Sequence, residues 1–181
     1  MRGAGADFVV DLNPTSPTFG TVVKTIPTMV SGVQTYGPCD TTISSNGKYL
    51  YNVIMGWPLW KEPQLSPGYT IVIDVNPTSP TYGQVIQQVP TPSGYVSGPN
   101  TGIMMVTISP DDQYLAIEGT GGEMYYTINP STGLITNPTS PYWFTSTSWT
   151  SARTDEFTPS SNRDFVMDGS DVYVVTMVPS S

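Results

Sequence analysis

The chain contains no histidine. That removes Ser-His-Asp and Cys-His nucleophile systems, and with them histidine-ligated zinc or copper. A single cysteine, Cys39, is present. No internal disulfide can form, so cysteine usage says nothing about an oxidising compartment. With no general base to name beside it, Cys39 reads as a small buried residue. Charge is also scarce, at 11% of 181 residues, with 14 acids against 6 bases and a net charge of −8. The six cations, Arg2, Lys24, Lys48, Lys61, Arg153 and Arg163, are scattered. Nucleic acid is therefore not an expected partner, because a phosphate backbone requires a basic footprint. No run approaches the roughly 18 apolar residues of a membrane span, and residues 1–6 lack the apolar stretch of a signal peptide. Asn13, Asn76 and Asn137 are each followed by proline, which blocks N-glycosylation there. The Thr/Ser/Pro-rich turns remain candidates for O-linked sugars. No helical stripe of ten or more residues is found.

What the chain does have is turn formers and strand formers. The 18 prolines and 17 glycines could signal disorder, but 11 tyrosines, 4 tryptophans and Val/Ile/Tyr runs supply area to bury against the entropy of ordering. The expectation is an all-β fold with long Ser/Thr/Pro loops. A repeat is plain. Residues 11–27 and 74–90 are identical at ten of 17 positions, sharing the run Asn-Pro-Thr-Ser-Pro-Thr. A weaker third copy is Ile128–Ile135. Between these, Ile43–Tyr51 matches Ile108–Ala116, and Ser160–Met167 reads as a third copy. Each repeat thus alternates two hairpins. In one, Asn-Pro ends strand pairing because proline has no N–H to donate, and Gly20 or Gly83 supplies the backbone angle for re-entry. In the other, Asn46-Gly47 or Asp111-Asp112 forms the turn.

Four strands in roughly 50–65 residues fits a propeller blade. Residues 108–116, Ile-Ser-Pro-Asp-Asp-Gln-Tyr-Leu-Ala, resemble the blade signature of YVTN-type seven-bladed propellers. Residues 73–90 resemble a blade of the selenium-binding protein (methanethiol oxidase) family. That second resemblance implies an oxidase dependent on histidine-bound copper. Here Ser93–Gly98 stands where that family is histidine-rich, so the activity is not carried over, and no cofactor is expected.

The predicted architecture is one domain, 1–181, of about three four-stranded blades, with repeats near 7–68, 69–121 and 122–181. Residues 6–10 and 171–177 share the phase of 69–73, which makes three repeats plus one strand. Typical rings use about 4–8 blades, and open blade edges invite pairing. The chain is then an incomplete propeller, closes through other copies, or stacks as a sandwich.

The aromatic stretches are the chief interface or ligand candidates: Trp57 and Trp60 in one insertion, and Tyr142, Trp143, Phe144 and Trp149 in a Ser/Thr-rich loop. The simpler reading is that they cover the blade core or pack between blades. Asp164, Asp168 and Asp171 are weak calcium candidates, with turn-forming acids as the simpler reading. Glu118 and Glu123 flank Gly119–Gly122 and are candidates for a glycosidase-type acid–base pair, the simpler expectation being a hairpin with polar flanks. The sequence on its own favours a non-enzymatic, extracellular structural or adhesive protein that assembles with copies of itself into a ring or filament. The alternatives are part of a longer propeller enzyme or ligand-binding protein of YVTN or selenium-binding type, and a carbohydrate-binding module for which glycans would be partners.

Overall fold

β-Branched and aromatic runs alternate with Asn-Pro and Ser-x-Asx turns along the chain, and these become strands and hairpins. The computed structural model describes residues 5–28, 38–54, 68–92, 103–119, 122–144, 152–160, 163–168 and 171–177. Among the described residues there is no helix. The strands are β1 (Ala6–Val10), β2 (Val22–Pro27), β3 (Pro38–Ile43), β4 (Tyr49–Ile54), β5 (Tyr69–Asp74), β6 (Gln84–Pro90), β7 (Ile103–Ile108), β8 (Tyr114–Gly119), β9 (Gly122–Thr127), β10 (Tyr142–Phe144), β11 (Ala152–Phe157), β12 (Arg163–Asp168) and β13 (Asp171–Thr176). They form four antiparallel meanders: β1-β2, β3-β4-β5-β6, β7-β8-β9-β10 and β11-β12-β13. Neighbouring sheets approach one another through their inner strands, β3 and β4 against β7, and β11 against β7 and β8. The protein is all-β, an incomplete β-propeller, and not a sandwich.

The sequence repeat is reproduced bond by bond. After β1, Asp11 Oδ1 accepts from the Asn13 amide at 2.9 Å and its Oδ2 from the Thr18 hydroxyl at 2.6 Å. After β5, Asp74 does the same with Asn76 at 2.9 Å and Thr81 at 2.5 Å. Gly20 and Gly83 both close the turn at φ 75° and donate to the Asp11 and Asp74 carbonyls. Hydrogen bonds from the Ser16 and Thr18 hydroxyls first, with that from the Asn13 amide, hold Asp11 below the usual carboxylate range. At Asp74 burial pushes upward, but Ser79, Thr81 and the Asn76 amide together outweigh it, and the carboxyl again lies low.

The Ser-x-Asx turns bind one blade to the next. Gly47 adopts φ 69°, and Asp112, at the matching place, adopts φ 59°. An aspartate tolerates this region better than most side chains. Its buried carboxylate accepts from the Ser45 amide and the Ser45 hydroxyl of the neighbouring turn, both at 2.7 Å. The third such turn starts at Thr158, not Ser160. The Thr158 amide donates to the Arg163 carbonyl as Ser109 does to Tyr114.

The largest core cluster lies between the second and third sheets, with Tyr51, Val53, Val72 and Val89 meeting Leu115, Ile117, Met124 and Tyr126. Each fully buried aliphatic side chain contributes roughly 1.5–3 kcal/mol. Cys39 is half-buried against this cluster. Polar links across the same interface include Tyr51 Oη donating to the Gly133 carbonyl at 2.9 Å and Gln87 bonding both polar groups of Ile135. Gly133 is at φ 70°, and a Cβ there would fall 2.2 Å from the Tyr49 ring, so no other residue fits.

Candidate functional site

The candidate site is on the face of the third sheet that turns toward the fourth. Residues alternate between faces along a strand. On β8 and β9, Leu115, Ile117, Met124 and Tyr126 face the second sheet, while Ala116, Glu118, Glu123 and Tyr125 face the other way. Glu118 and Glu123 are direct cross-strand partners, which puts their Cβ atoms about 4.5–5.5 Å apart. Both are fully buried. The hairpin predicted from the sequence is present, but the glutamates are interior residues and not solvated flanks. The reason is tertiary: two strands of a blade interior have sheets on both sides.

One step along the same face, Tyr125 donates its hydroxyl to Asp164 Oδ2 of β12 at 2.9 Å, and both residues are buried. Four acidic or phenolic side chains thus occupy this interface, Glu118, Glu123, Tyr125 and Asp164, with the two glutamates paired directly across the strands. Of these four only Tyr125 lines the open pocket of about 350 Å³ next to it, together with Tyr114, Tyr142, Trp143, Phe144, Val175, Thr176 and Met177. That volume is at the lower end of the range for small-ligand sites, roughly 300–1,000 Å³.

Tyr142, Trp143 and Phe144 do not lie in a loop. They form β10, the outer strand of the third sheet, paired with Tyr125, Met124 and Glu123. The prolines and serines before them misdirect a sequence reading. They belong to an excursion after the Ile128–Ile135 bridge, and the chain rejoins β9 further along. Tyr142 and Trp143 are exposed. Trp57, Trp60 and Trp149 lie outside the described residues. The three aspartates do not converge. Asp168 and Asp171 pair at one end of the β12–β13 hairpin and Asp164 stands opposite Val175 at the other, about 13 Å along the strand at ~3.3 Å per residue. Among the described residues, no cluster of three His, Cys, Asp or Glu side chains is arranged to hold a metal ion. Sequence inspection singles out Glu118 and Glu123 but misses Tyr125 with Asp164. Nothing local marks a contact between residues 39 apart.

The sequence matches no protein-family model and no curated protein. Solved structures do share its fold. The periplasmic gluconolactonase of Pseudomonas aeruginosa superposes with a TM-score of 0.59 at 17% identity, over 88% of this chain and 42% of that one. A 6-phosphogluconolactonase candidate of Bacteroides uniformis gives 0.58 at 16%, over 97% and 50%. Hydrazine synthase of Kuenenia stuttgartiensis gives 0.58 at 15%, over 87% and 44%. The chain therefore spans half or less of the length of these structures. At such identities the likeness establishes the propeller-type fold. Propellers named as lactonases are among the structures of similar fold, and the likeness supports neither the YVTN nor the selenium-binding specifics. The expectation of a non-enzymatic, self-assembling structural or adhesive protein is corrected here. The propellers that share the fold include enzymes of lactone chemistry, which agrees better with the expected alternative of part of a longer propeller enzyme. Low charge and turn-rich composition misled because composition carries no information about the chemistry of a site.

Proposed function

We propose that this chain is part of a propeller hydrolase that opens a cyclic ester of a sugar acid, with Glu118 and Glu123 as its proton-transfer pair. The observation that carries the reading is the placement of two fully buried glutamates directly opposite each other at a hairpin end. In this reading one glutamate serves as the carboxylate base and its cross-strand partner as the acid. The pair then offers a base and an acid together, and no imidazole is needed. The carboxylate takes a proton from water as the water oxygen bonds to the ester carbonyl carbon. The ring C–O bond breaks, and the protonated partner delivers its proton to the departing hydroxyl oxygen. The lactonase names of two fold neighbours support the substrate class. Tyr125, hydrogen-bonded to Asp164, borders the aromatic pocket, where a sugar ring can lie against aromatic faces. In this reading residues 108–116 are a YVTN-type blade signature within the hydrolase, and 73–90 a selenium-binding-type blade without its copper chemistry.

The test follows acid release from glucono-δ-lactone and its 6-phosphate at constant pH. Glu118→Gln and Glu123→Gln are each expected to lower kcat by ~10²–10⁴-fold with the far-ultraviolet circular dichroism unchanged. Full activity in both variants, or no turnover of either lactone, would sink the assignment.

A further inference from the structure

The first sheet carries an apolar face that is largely exposed. Phe8 is 62% exposed, Leu12 75%, and Val10 and Val22 are also exposed. The repeat offset of 63 maps these four onto Ile71, Val75, Ile73 and Val85. Those residues form one core cluster with Val9 and Ile26 of the first sheet. Ile71 and Ile73 are wholly buried by that contact. The same face of the same hairpin is thus covered in one blade and bare in the one before it. At the other end of the stack, Val174 of β13 is 53% exposed. It takes the place of Tyr125 in β9, since Asp171 matches Gly122 in register, and Tyr125 is covered by the fourth sheet. Every described interface joins a face of the Ile71 kind to a face of the Tyr125 kind.

We infer that the Phe8–Val10–Leu12–Val22 face is a docking surface for a further propeller blade, presented by additional sequence of the same polypeptide. This rests on the reading of the chain as part of a larger propeller, not on its lactone chemistry. A second copy of the chain presents the right kind of face but the wrong strand phase. β1 matches β5, the third strand of its sheet, and β13 is also the third strand of its own. Joining β11-β12-β13 of one copy to β1-β2 of another would put two third strands into a single blade. A polypeptide that supplies two strands on the open side of β1, and a blade against Phe8, meets both demands. The solved chains of similar fold, of which this one spans 42–50%, have that length.

The 181-residue chain is compared with its Phe8→Thr/Leu12→Thr variant by light scattering and by the fluorescence of a hydrophobic dye, and the polypeptide from its native source is weighed by intact mass. The expected result is dye binding and concentration-dependent association of the 181-residue chain. Both should fall several-fold in the variant while its melting temperature stays unchanged, and the native mass should be about twice that of the chain. In the longer polypeptide the same substitutions should lower the melting temperature by several degrees, because the face is then covered. A dye-silent 181-residue monomer would overturn the inference, as would a closed ring whose mass is a whole multiple of this chain. Failure to hydrolyse lactones leaves all of these readouts untouched and bears only on the proposed activity.

Discussion

The hairpin end of β4–β5 and that of β8–β9 are the same place in two neighbouring blades, filled in opposite ways. Val53 faces Thr70 in the first, and Glu118 faces Glu123 in the second. All four side chains are buried, so solvent does not explain the difference. A buried pair of carboxyl groups is a weak device for stability, since well-packed apolar groups of similar volume usually serve as well or better. The second blade therefore holds its glutamates at some cost to the fold, and the first blade shows the cheaper filling. The neighbouring groups differ to match. Beside Val53 and Thr70 lie Tyr51 and Val72, packed in the aliphatic cluster, whereas beside Glu118 and Glu123 lies Tyr125 with its bond to Asp164. The β1–β2 sheet shows a third filling. Asp7, which matches Thr70 in the repeat, accepts from Asn52 Nδ2 at 2.6 Å across the interface.

The contrast is most sharply tested by moving acid into the aliphatic place. Val53→Glu should cost ~3–5 kcal/mol in chemical denaturation, because a single carboxylate would be buried without the surroundings that the second blade provides. If the cost is below about 1 kcal/mol, the two ends are equally able to hold charge and the contrast fails. The reverse exchange, Glu118→Val with Glu123→Thr, should leave stability unchanged or raise it by ~1–4 kcal/mol while abolishing lactone hydrolysis. A large loss of stability would instead make the pair structural. On the opposite face of β9, Tyr126 stands where the first blade has Ile73. Its hydroxyl is buried with no hydrogen-bond partner, and burial pushes its ionisation well above the usual phenol range. Tyr126→Phe should stabilise the protein by ~1–3 kcal/mol, the penalty of an unsatisfied buried polar group, read as a shift in the denaturation midpoint.

The smallest effects are in pH dependence, where two acids act with opposite sign. The Asp74 carboxyl lies below its ordinary value of 3.8 because its hydrogen bonds outweigh burial. Its contribution is present in full above pH ~4 and is lost as the pH falls through the lower, folded value. The Asp7 carboxyl is raised, chiefly by burial, with the Asn52 bond acting against this. Its protonated form is the one favoured by folding, so stability declines as the pH rises from the ordinary range through the folded value. Stability curves between pH 2 and 6 should therefore flatten at the acid end in Asp74→Asn and flatten at the upper end in Asp7→Asn. Identical slopes in both variants would contradict the pairing of causes.

The sequence by itself determined the hairpins and their turns. Asn-Pro, Gly20, Gly83, Asn46-Gly47 and Asp111-Asp112 act through local backbone geometry, and their effect reaches only a few residues. The all-β class, the blade-like repeat and the prominence of Glu118 with Glu123 follow from that local grammar. Only the tertiary structure decided which face each strand turns to a neighbour. Tyr125 meeting Asp164, Asp112 bonding Ser45 of the neighbouring turn, β10 as a strand and not a loop, and the burial of both glutamates all depend on sheets packing against sheets. Such contacts join residues tens of positions apart, and alternation along a strand separates two faces without saying which neighbour will cover each.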